Sequence, residues 1–226
     1  MKLVNNGKTK DVFALDNGNY LLKFKDDVTG ADGKFDPGAN EVAFAIDGVG
    51  REWLRLTEYF FKAIEKAGIP THYINSNIEK CTMEVLRAEM FGNGLEFICR
   101  FKSTGSFMRR YGMYVKEGQD LDGIVEVTLK DDGRGDPAVS SEIVEALGIT
   151  NAATYDKLKK MTRDIAIIVK NEIAGKGIEL YDIKVEFGKN SGRVILIDEV
   201  SGSSMRVYKD GKKLEPMEIG RILLGS

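Results

Sequence analysis

Residues 182–188 read DIKVEFG, and residues 196–199 read LIDE. In an extended strand successive side chains take opposite sides, so Asp182, Lys184 and Glu186 share one face. Ile183, Val185 and Phe187 share the other and can meet a core. GKNSG, between the two stretches, is turn sequence, so an antiparallel hairpin brings Asp198 back toward Glu186. An even pairing register puts both carboxylates on one face; the register itself is open at this level. Two carboxylates held close repel unless something neutralises them. Magnesium, bound by one or two carboxylates plus substrate phosphates, does so. The competing reading is a solvated polar strand face, and the hairpin taken alone slightly favours it.

Three other stretches shift the balance toward phosphate chemistry. GKTKD, residues 7–11, sets Lys8 and Lys10 beside Gly7 at a strand start, as a phosphate-covering loop does. It lacks the GxxxxGK[ST] spacing of a P-loop, so its specificity is low. STGSFMRRYG, residues 103–112, offers Ser106, backbone amides near Gly105, and Arg109 with Arg110. Hydroxyl and guanidinium groups beside glycine suit a phosphate monoester; a basic surface turn is the equal alternative. VTLKDDGRGDP, residues 127–137, ends an apolar strand at Lys130 beside acidic residues, and by itself reads as a solvated turn.

The whole chain narrows the chemistry further. It holds one histidine, His72, in IPTHYI. A zinc site built on two histidines is therefore excluded, and no nucleophile motif stands near His72 to make a triad. His72 reads as a structural loop residue, which leaves carboxylates, lysines and arginines to do any catalysis. With 226 residues there is room for one large domain or two small ones. A net charge of −2 provides no global basic field for nucleic acid. No apolar run reaches membrane-spanning length and no signal-peptide core opens the chain, so a cytoplasmic location is expected. Cys81 and Cys99 read as reduced, packed thiols.

The elements that must position these groups follow from periodicity. LVNN, DVFAL and YLLKFK read as strands, with Asn17-Gly18 as a hairpin turn between the last two. DDVTGADGKFDPGAN reads as a loop. REWLRLTEYFFKAIEKAG spaces Trp53, Leu56, Phe60, Ala63 and Ile64 as one helical face, closed by Gly68 and Pro70. CTMEVLRAEMF and LEFICRF are strand-like, joined by Gly92-Asn93-Gly94. GIVEVTLK reads as a strand and SSEIVEALG as a short helix. A long helix runs from about Thr154 to Ala174, with Leu158, Met161, Ile165, Ile168 and Val169 on its apolar face. The DIKVEF and RVILIDEV strands and a helix opening near Pro216 complete the chain. Strands and helices are segregated rather than alternating, which points to an α+β fold.

In order along the chain, GKTKDVF, LLKFKDDVTGADG, CRFKSTGSFMRRYG, TLKDD and DIKVEFG…GRVILIDEVS…R resemble a single family. That family is the SAICAR synthetases, the phosphoribosylaminoimidazole-succinocarboxamide synthases of purine biosynthesis. Each motif has low specificity, but five in the family's order cover nearly the whole chain. The resemblance implies a two-lobed α+β fold with ATP in the cleft. A β-rich nucleotide-binding lobe spans residues 1–98, and a larger α+β lobe carrying the metal and ribotide sites spans residues 99–226.

The implied activity is an ATP- and Mg²⁺-dependent ligase joining carboxyaminoimidazole ribotide (CAIR) to L-aspartate through a carboxyl-phosphate intermediate, releasing ADP and phosphate. By the same resemblance, Gly7, Lys8, Lys10 and Val12, with Lys23, Lys25, Glu89 and Glu96, contact ATP. The adenine hinge falls within Arg87 to Glu96. Glu186 and Asp198 hold Mg²⁺, while Arg100, Ser106, Asp182, Lys184, Arg206 and Arg221 bind ribotide and aspartate. Lys184, Asp182 and Lys130 are the catalytic candidates. The partners are small molecules, with neither nucleic acid nor membrane, and a homodimer is expected.

One departure bears on the second substrate. After LIDE the family usually reads Ser-Pro-Asp, whereas Gly202 and Ser203 stand here, so a more flexible loop lacking a carboxylate is expected. The alternatives are a paralogous ligase using another amine or ribotide carboxylate, and a small-molecule or inositol-phosphate-type kinase. A nucleotide-sensing module without turnover is a third, against which both metal acids stand.

Overall fold

The computed structural model describes residues 1–225. Three strands open the chain, β1 (Lys2–Asn6), β2 (Lys10–Ala14) and β3 (Tyr20–Phe24). The β2–β3 turn contains Gly18 at φ 86, as Asn17-Gly18 predicts. Residues 26–40, expected to be a loop, instead build β4 (Asp27–Ala31) and β5 (Lys34–Phe35), which pair with β6 (Val42–Ala45) as a small antiparallel sheet. Asp32 (φ 52) and Gly33 (φ 69) make the two-residue left-handed turn that Asp-Gly favours between paired strands.

Helix α1 (Val49–Lys66) then buries Trp53, Leu56, Phe60 and Ile64 on one stripe. Strands β7 (Tyr73–Asn77) and β8 (Thr82–Val85) return to the first three, giving an antiparallel sheet of order β1-β2-β3-β8-β7.

A third, seven-stranded sheet follows. It contains β9 (Glu89–Met90), β10 (Leu95–Lys102), β11 (Asp120–Leu129), β12 (Glu179–Asn190), β13 (Arg193–Ile197), β14 (Met205–Lys209) and β15 (Lys212–Lys213). The change of sheet comes between Val85 and Glu89. A division at residues 98/99 runs through β10.

Four helices are interleaved: α2 (Ser106–Tyr111), α3 (Ser141–Ala146), α4 (Ala152–Ala174) and α5 (Glu218–Leu224). Ser140 and Asn151 cap α3 and α4 by accepting from the amides of Ile143 and Thr154. Leu158, Ile165 and Val169 on α4 are buried with Ile183, Val185 and Phe187 of β12, the apolar side expected of that strand. Phe97 of β10 meets Phe187 edge-on, with centroids 5.4 Å apart. Phe97→Ala should lower unfolding stability by about 3–5 kcal/mol in a denaturant titration, because a fully buried ring leaves a cavity.

Pairing in this sheet sets the opposite, polar face. Directly opposed residues share a face. One row across the sheet is Thr128, Glu96, Glu186 and Ile197. The next is Glu126, Ile98 and Lys184, and the third is Ile124, Arg100, Asp182 and Arg206. Four antiparallel pairings therefore gather charges that lie far apart in sequence.

Candidate functional site

A cavity of about 960 Å³ is lined by residues of all three sheets. Residues 5–10 line one end, and Val12, Tyr20, Leu22, Val85, Met90 and Ile197 form an apolar wall. The polar lining includes His72, Glu96, Lys130, Lys184, Glu186, Asp198 and Glu199. An apolar slot beside a charged floor suits a purine carrying phosphates.

The charges on the floor are paired. Lys130 Nζ lies 2.6 Å from Glu186, and Lys184 Nζ lies 2.7 Å from Glu96, which also accepts from the Thr128 hydroxyl. Lys10 Nζ contacts Glu199 and lies 3.1 Å from Asp198. Burial pushes the Glu186 carboxyl pKa up, Lys130 opposes the rise, and the nearby Asp198 charge adds to it. Burial would also raise Asp198, but Lys10 and then Lys130 outweigh it and hold that carboxyl well below the usual range. For Lys184, burial would lower the ammonium pKa; Glu96 and Glu186 more than offset it and raise it. The floor thus holds acidic and basic groups in mutual contact.

Asp198 does not reach the site by pairing register. Glu186 stands opposite Ile197, so a continued strand would turn Asp198 to the other face. The strand ends at Ile197, and Asp198 takes a left-handed conformation, φ 67, that returns its carboxylate to the Glu186 side beside Lys10. His72 Nε2 lies 3.1 Å from the Asp198 carbonyl oxygen. Burial pushes the His72 pKa down to about 4, so the ring is neutral and donates this bond.

Next along the same face is a second cluster. Asp182 accepts from Arg100 Nη1 at 2.7 Å and from Arg206 Nη1 at 2.8 Å. Arg100 also contacts Glu126 and donates to Ser106 Oγ at 2.8 Å. Arg206 donates to Asp36 at 2.7 Å and to the Pro37 carbonyl at 3.0 Å. Gly105 permits this packing: its φ of 54 and ψ of −130 suit glycine, and a Cβ there would sit 2.4 Å from Arg206 Cζ. Residues 36–38 join the two clusters, since Asp36 holds Arg206 while Gly38 lines the cavity near Lys184.

Of the residues singled out from sequence, Gly7, Lys8, Lys10, Val12, Glu96, Lys130, Lys184, Glu186 and Asp198 line the cavity. Arg100, Ser106, Asp182 and Arg206 form the adjoining cluster. Four others are not brought there. Lys23 is exposed on β3, and Lys25 pairs with Asp11 at 3.3 Å. Glu89 is exposed on β9 while its neighbours Ala88 and Met90 line the cavity, the opposite side of the alternation. Arg221 is exposed on α5.

Sequence reasoning assigned no site role to Glu199, Asp36 or Glu126, the counter-charges to Lys10, Arg206 and Arg100. Glu199 adjoins Asp198 in LIDE and could have been read with it; the other two carry no local signal.

The loop expected to be looser is buried and tied down. Ser201 Oγ donates to Glu199 at 2.5 Å and accepts from the Ser203 amide at 3.1 Å. The Ser203 carbonyl accepts from the Gly38 amide, and the Ser204 carbonyl from the Lys184 amide. Gly202 sits against the Trp53 indole, where a Cβ would lie 3.2 Å from Nε1.

Among the described residues no three metal-ligating side chains converge. Two carboxylates flanked by lysines therefore fit a hard cation that takes its remaining ligands from phosphate and water, as Mg²⁺ does, rather than a cage built by protein alone.

Residues 3–218 match the sequence model of the SAICAR synthetase family. Phosphoribosylaminoimidazole-succinocarboxamide synthase of Clostridium tetani is 57% identical, with 99% of this chain and 100% of the relative covered. The structure superposes on a SAICAR synthetase solved in complex with ADP, with a TM-score of 0.86 at 27% identity over 98% of this chain and 97% of that one. It also resembles the SAICAR synthetase of Pyrococcus horikoshii OT3, with a TM-score of 0.83 at 26% identity, covering 96% and 98% of the two chains. Sequence and fold agree over the full length, and the chain belongs to the SAICAR synthetase family.

Proposed function

We propose how this chain's residues divide the labour of the family's reaction: condensation of CAIR with L-aspartate, driven by ATP, to give SAICAR, ADP and phosphate in purine biosynthesis. The chain is an ATP-dependent amide-forming ligase. The observation that carries the residue-level reading is the sheet face on which Glu186, Lys184 and Asp182 stand in line. Metal-type acid, reacting-carboxylate partner and ribotide clamp then occupy successive rows.

The apolar wall and the connection at residues 86–88 receive the adenine, and residues 7–10 cover the phosphates. Lys10 trades its contact with Asp198 for phosphate oxygens, which leaves Asp198 and Glu186 to hold Mg²⁺. The bound ion supplies charge neutralisation across the phosphoryl group in flight. Lys130, paired to Glu186, keeps that carboxylate in place and faces the nucleotide. The nucleotide side is then drawn chiefly from the five-stranded sheet and the metal and ribotide side from the seven-stranded sheet, with the change between Val85 and Glu89 rather than at residues 98/99.

Arg100, Ser106 and Arg206 clamp the ribotide phosphate, with Asp182 orienting both guanidinium groups. Arg100, Arg109, Arg110, Arg206 and Lys213 lie among the carboxylates of Asp36, Glu126 and Asp182. Even with Glu215 counted beside Lys213, the cations outnumber the carboxylates, which suits an anionic phosphate monoester. Lys184 then faces the CAIR carboxylate, where it offsets charge as the carboxyl oxygen attacks the terminal phosphorus. ADP leaves as the acyl phosphate forms. The aspartate amine then attacks the acyl carbon, and the new C–N bond replaces the C–O bond to phosphate. Inorganic phosphate departs and the nitrogen gives up a proton. Positioning and charge supply the catalysis, and no histidine takes part in proton transfer. Lys23, Lys25, Glu89 and Arg221 are left out because none lines the cavity or joins the cluster of Arg100, Ser106, Asp182 and Arg206. A cytoplasmic, homodimeric enzyme fits this role.

A coupled ADP-release assay tests the reading. Sustained release should require CAIR and L-aspartate together. Release driven by a sugar or inositol phosphate without an amine would instead identify a kinase.

A further inference from the structure

Segment 70–72 forms an unusual seam between the five-stranded and seven-stranded sheets. The Leu196 amide donates to the Pro70 carbonyl at 2.9 Å, and the His72 amide donates to the Leu196 carbonyl at 2.9 Å. Thr71 and Leu196 make a parallel bridge, although the named strands all pair antiparallel. On its other side the His72 carbonyl accepts from the Leu86 amide at 2.7 Å, just past the end of β8. His72 is 4% exposed, and its ring stands edge-on to Phe61 with centroids 5.6 Å apart, which fixes the imidazole plane. From that fixed ring, Nε2 reaches the Asp198 carbonyl at 3.1 Å.

This contact falls where β13 has stopped and the backbone takes the conformation that L-residues rarely adopt. An extended residue here would send its carboxylate to the face opposite Glu186. We propose that His72 is a positioning residue for the metal-binding face: its Nε2–H holds the Asp198 carbonyl in the left-handed bend, so that the Asp198 carboxylate opposes Glu186. A carbonyl oxygen can only accept, so the ring must carry its proton on Nε2. Because His72 also bonds Leu86, the bend is tied to the connection on which adenine is proposed to sit. The inference rests on the reading of Asp198 as a metal ligand. It adds that a buried ring at the cavity wall, bonded to the backbone of Asp198 rather than to its carboxylate, sets that ligand's geometry.

Two substitutions of matched polarity separate reach from packing. His72→Gln carries an amide nitrogen to the position of Nε2, whereas the amide of His72→Asn stops about one bond short. Mn²⁺, which favours the same carboxylate and phosphate oxygens as Mg²⁺, serves as the probe, counted by electron paramagnetic resonance on the full chain with ADP present. CAIR affinity is measured in parallel by calorimetry. His72→Asn should weaken Mn²⁺ binding about 10-fold or more, in the range seen when a group supporting a metal ligand is removed. CAIR affinity should hold, and His72→Gln should return toward the parent value.

Parent-like Mn²⁺ affinity in His72→Asn overturns the proposal. So does an equal loss in both variants, or a CAIR affinity that falls with Mn²⁺, since each marks a role in folding alone. Asp198→Asn is the control for the underlying reading. If that variant keeps Mn²⁺, Asp198 is not a ligand and the reading fails, whatever His72 does. If it loses Mn²⁺ while His72→Asn does not, only the positioning role fails.

Discussion

Glu186→Gln and Asp198→Asn should each lower kcat by at least about 10²-fold, the scale on which removal of one charge-stabilising group is felt. The two substitutions are chosen so that the fold survives. Glutamine keeps the shape of Glu186 and an acceptor oxygen for Lys130, whose side chain is 41% exposed and can be hydrated. Asparagine tolerates the left-handed conformation at residue 198 better than most residues, so the bend at φ 67 persists. What both variants lose is negative charge beside the phosphates. The melting temperature should stay near that of the parent while turnover collapses, and Mg²⁺ titration should recover part of the rate only at high concentration. Parent-like turnover in either variant would remove the metal assignment.

The second large effect is expected at the ribotide clamp. Arg206→Ala should weaken CAIR binding by about 1.5–3 kcal/mol, the worth of a hydrogen bond to a charged group. The loss is expected in affinity rather than in folding, because no buried acid is orphaned. Asp182 keeps Arg100 at 2.7 Å, and Asp36 keeps Arg109 at 3.4 Å. Gly105→Ala provides an independent route to the same loss. Its new Cβ would occupy the space of the Arg206 guanidinium and strain a backbone suited to glycine. Arg206→Lys should not rescue, since an ammonium cannot bridge Asp36, Asp182 and a phosphate with a planar fork. Calorimetry with CAIR decides; unchanged affinity in Arg206→Ala contradicts the clamp.

What could be read from sequence followed the reach of local rules. The alternation in DIKVEFG and the helical stripe from Leu158 to Val169 each depend on near neighbours, and both stand in the structure. The turn at Asn17-Gly18 is local too. The same rule would have found the β4–β5 hairpin, since Asp32-Gly33 is an equally good turn signal that lay hidden in a glycine-rich stretch. Other features depend on pairing between distant segments. Arg206 meets Asp36 across 170 positions, and Arg100 meets Glu126 across 26, so nothing local marks either acid. The approach of Asp198 to Glu186 would follow from an even register, which the sequence leaves open. It arises instead from a strand that ends one residue early and a backbone bend, which alternation cannot foresee. His72 was read as structural, and its ring is buried as that implies; its contact with Asp198 appears only in three dimensions.

The most direct measurement is a crystal soaked with a non-hydrolysable ATP analogue and Mn²⁺, examined by anomalous scattering. The expected result is anomalous density between the phosphates and the carboxylates of Glu186 and Asp198, at about 2.0–2.3 Å from their oxygens, with Lys10 moved onto phosphate. A bound triphosphate with Asp198 still paired to Lys10, and no cation beside either acid, would contradict the assignment.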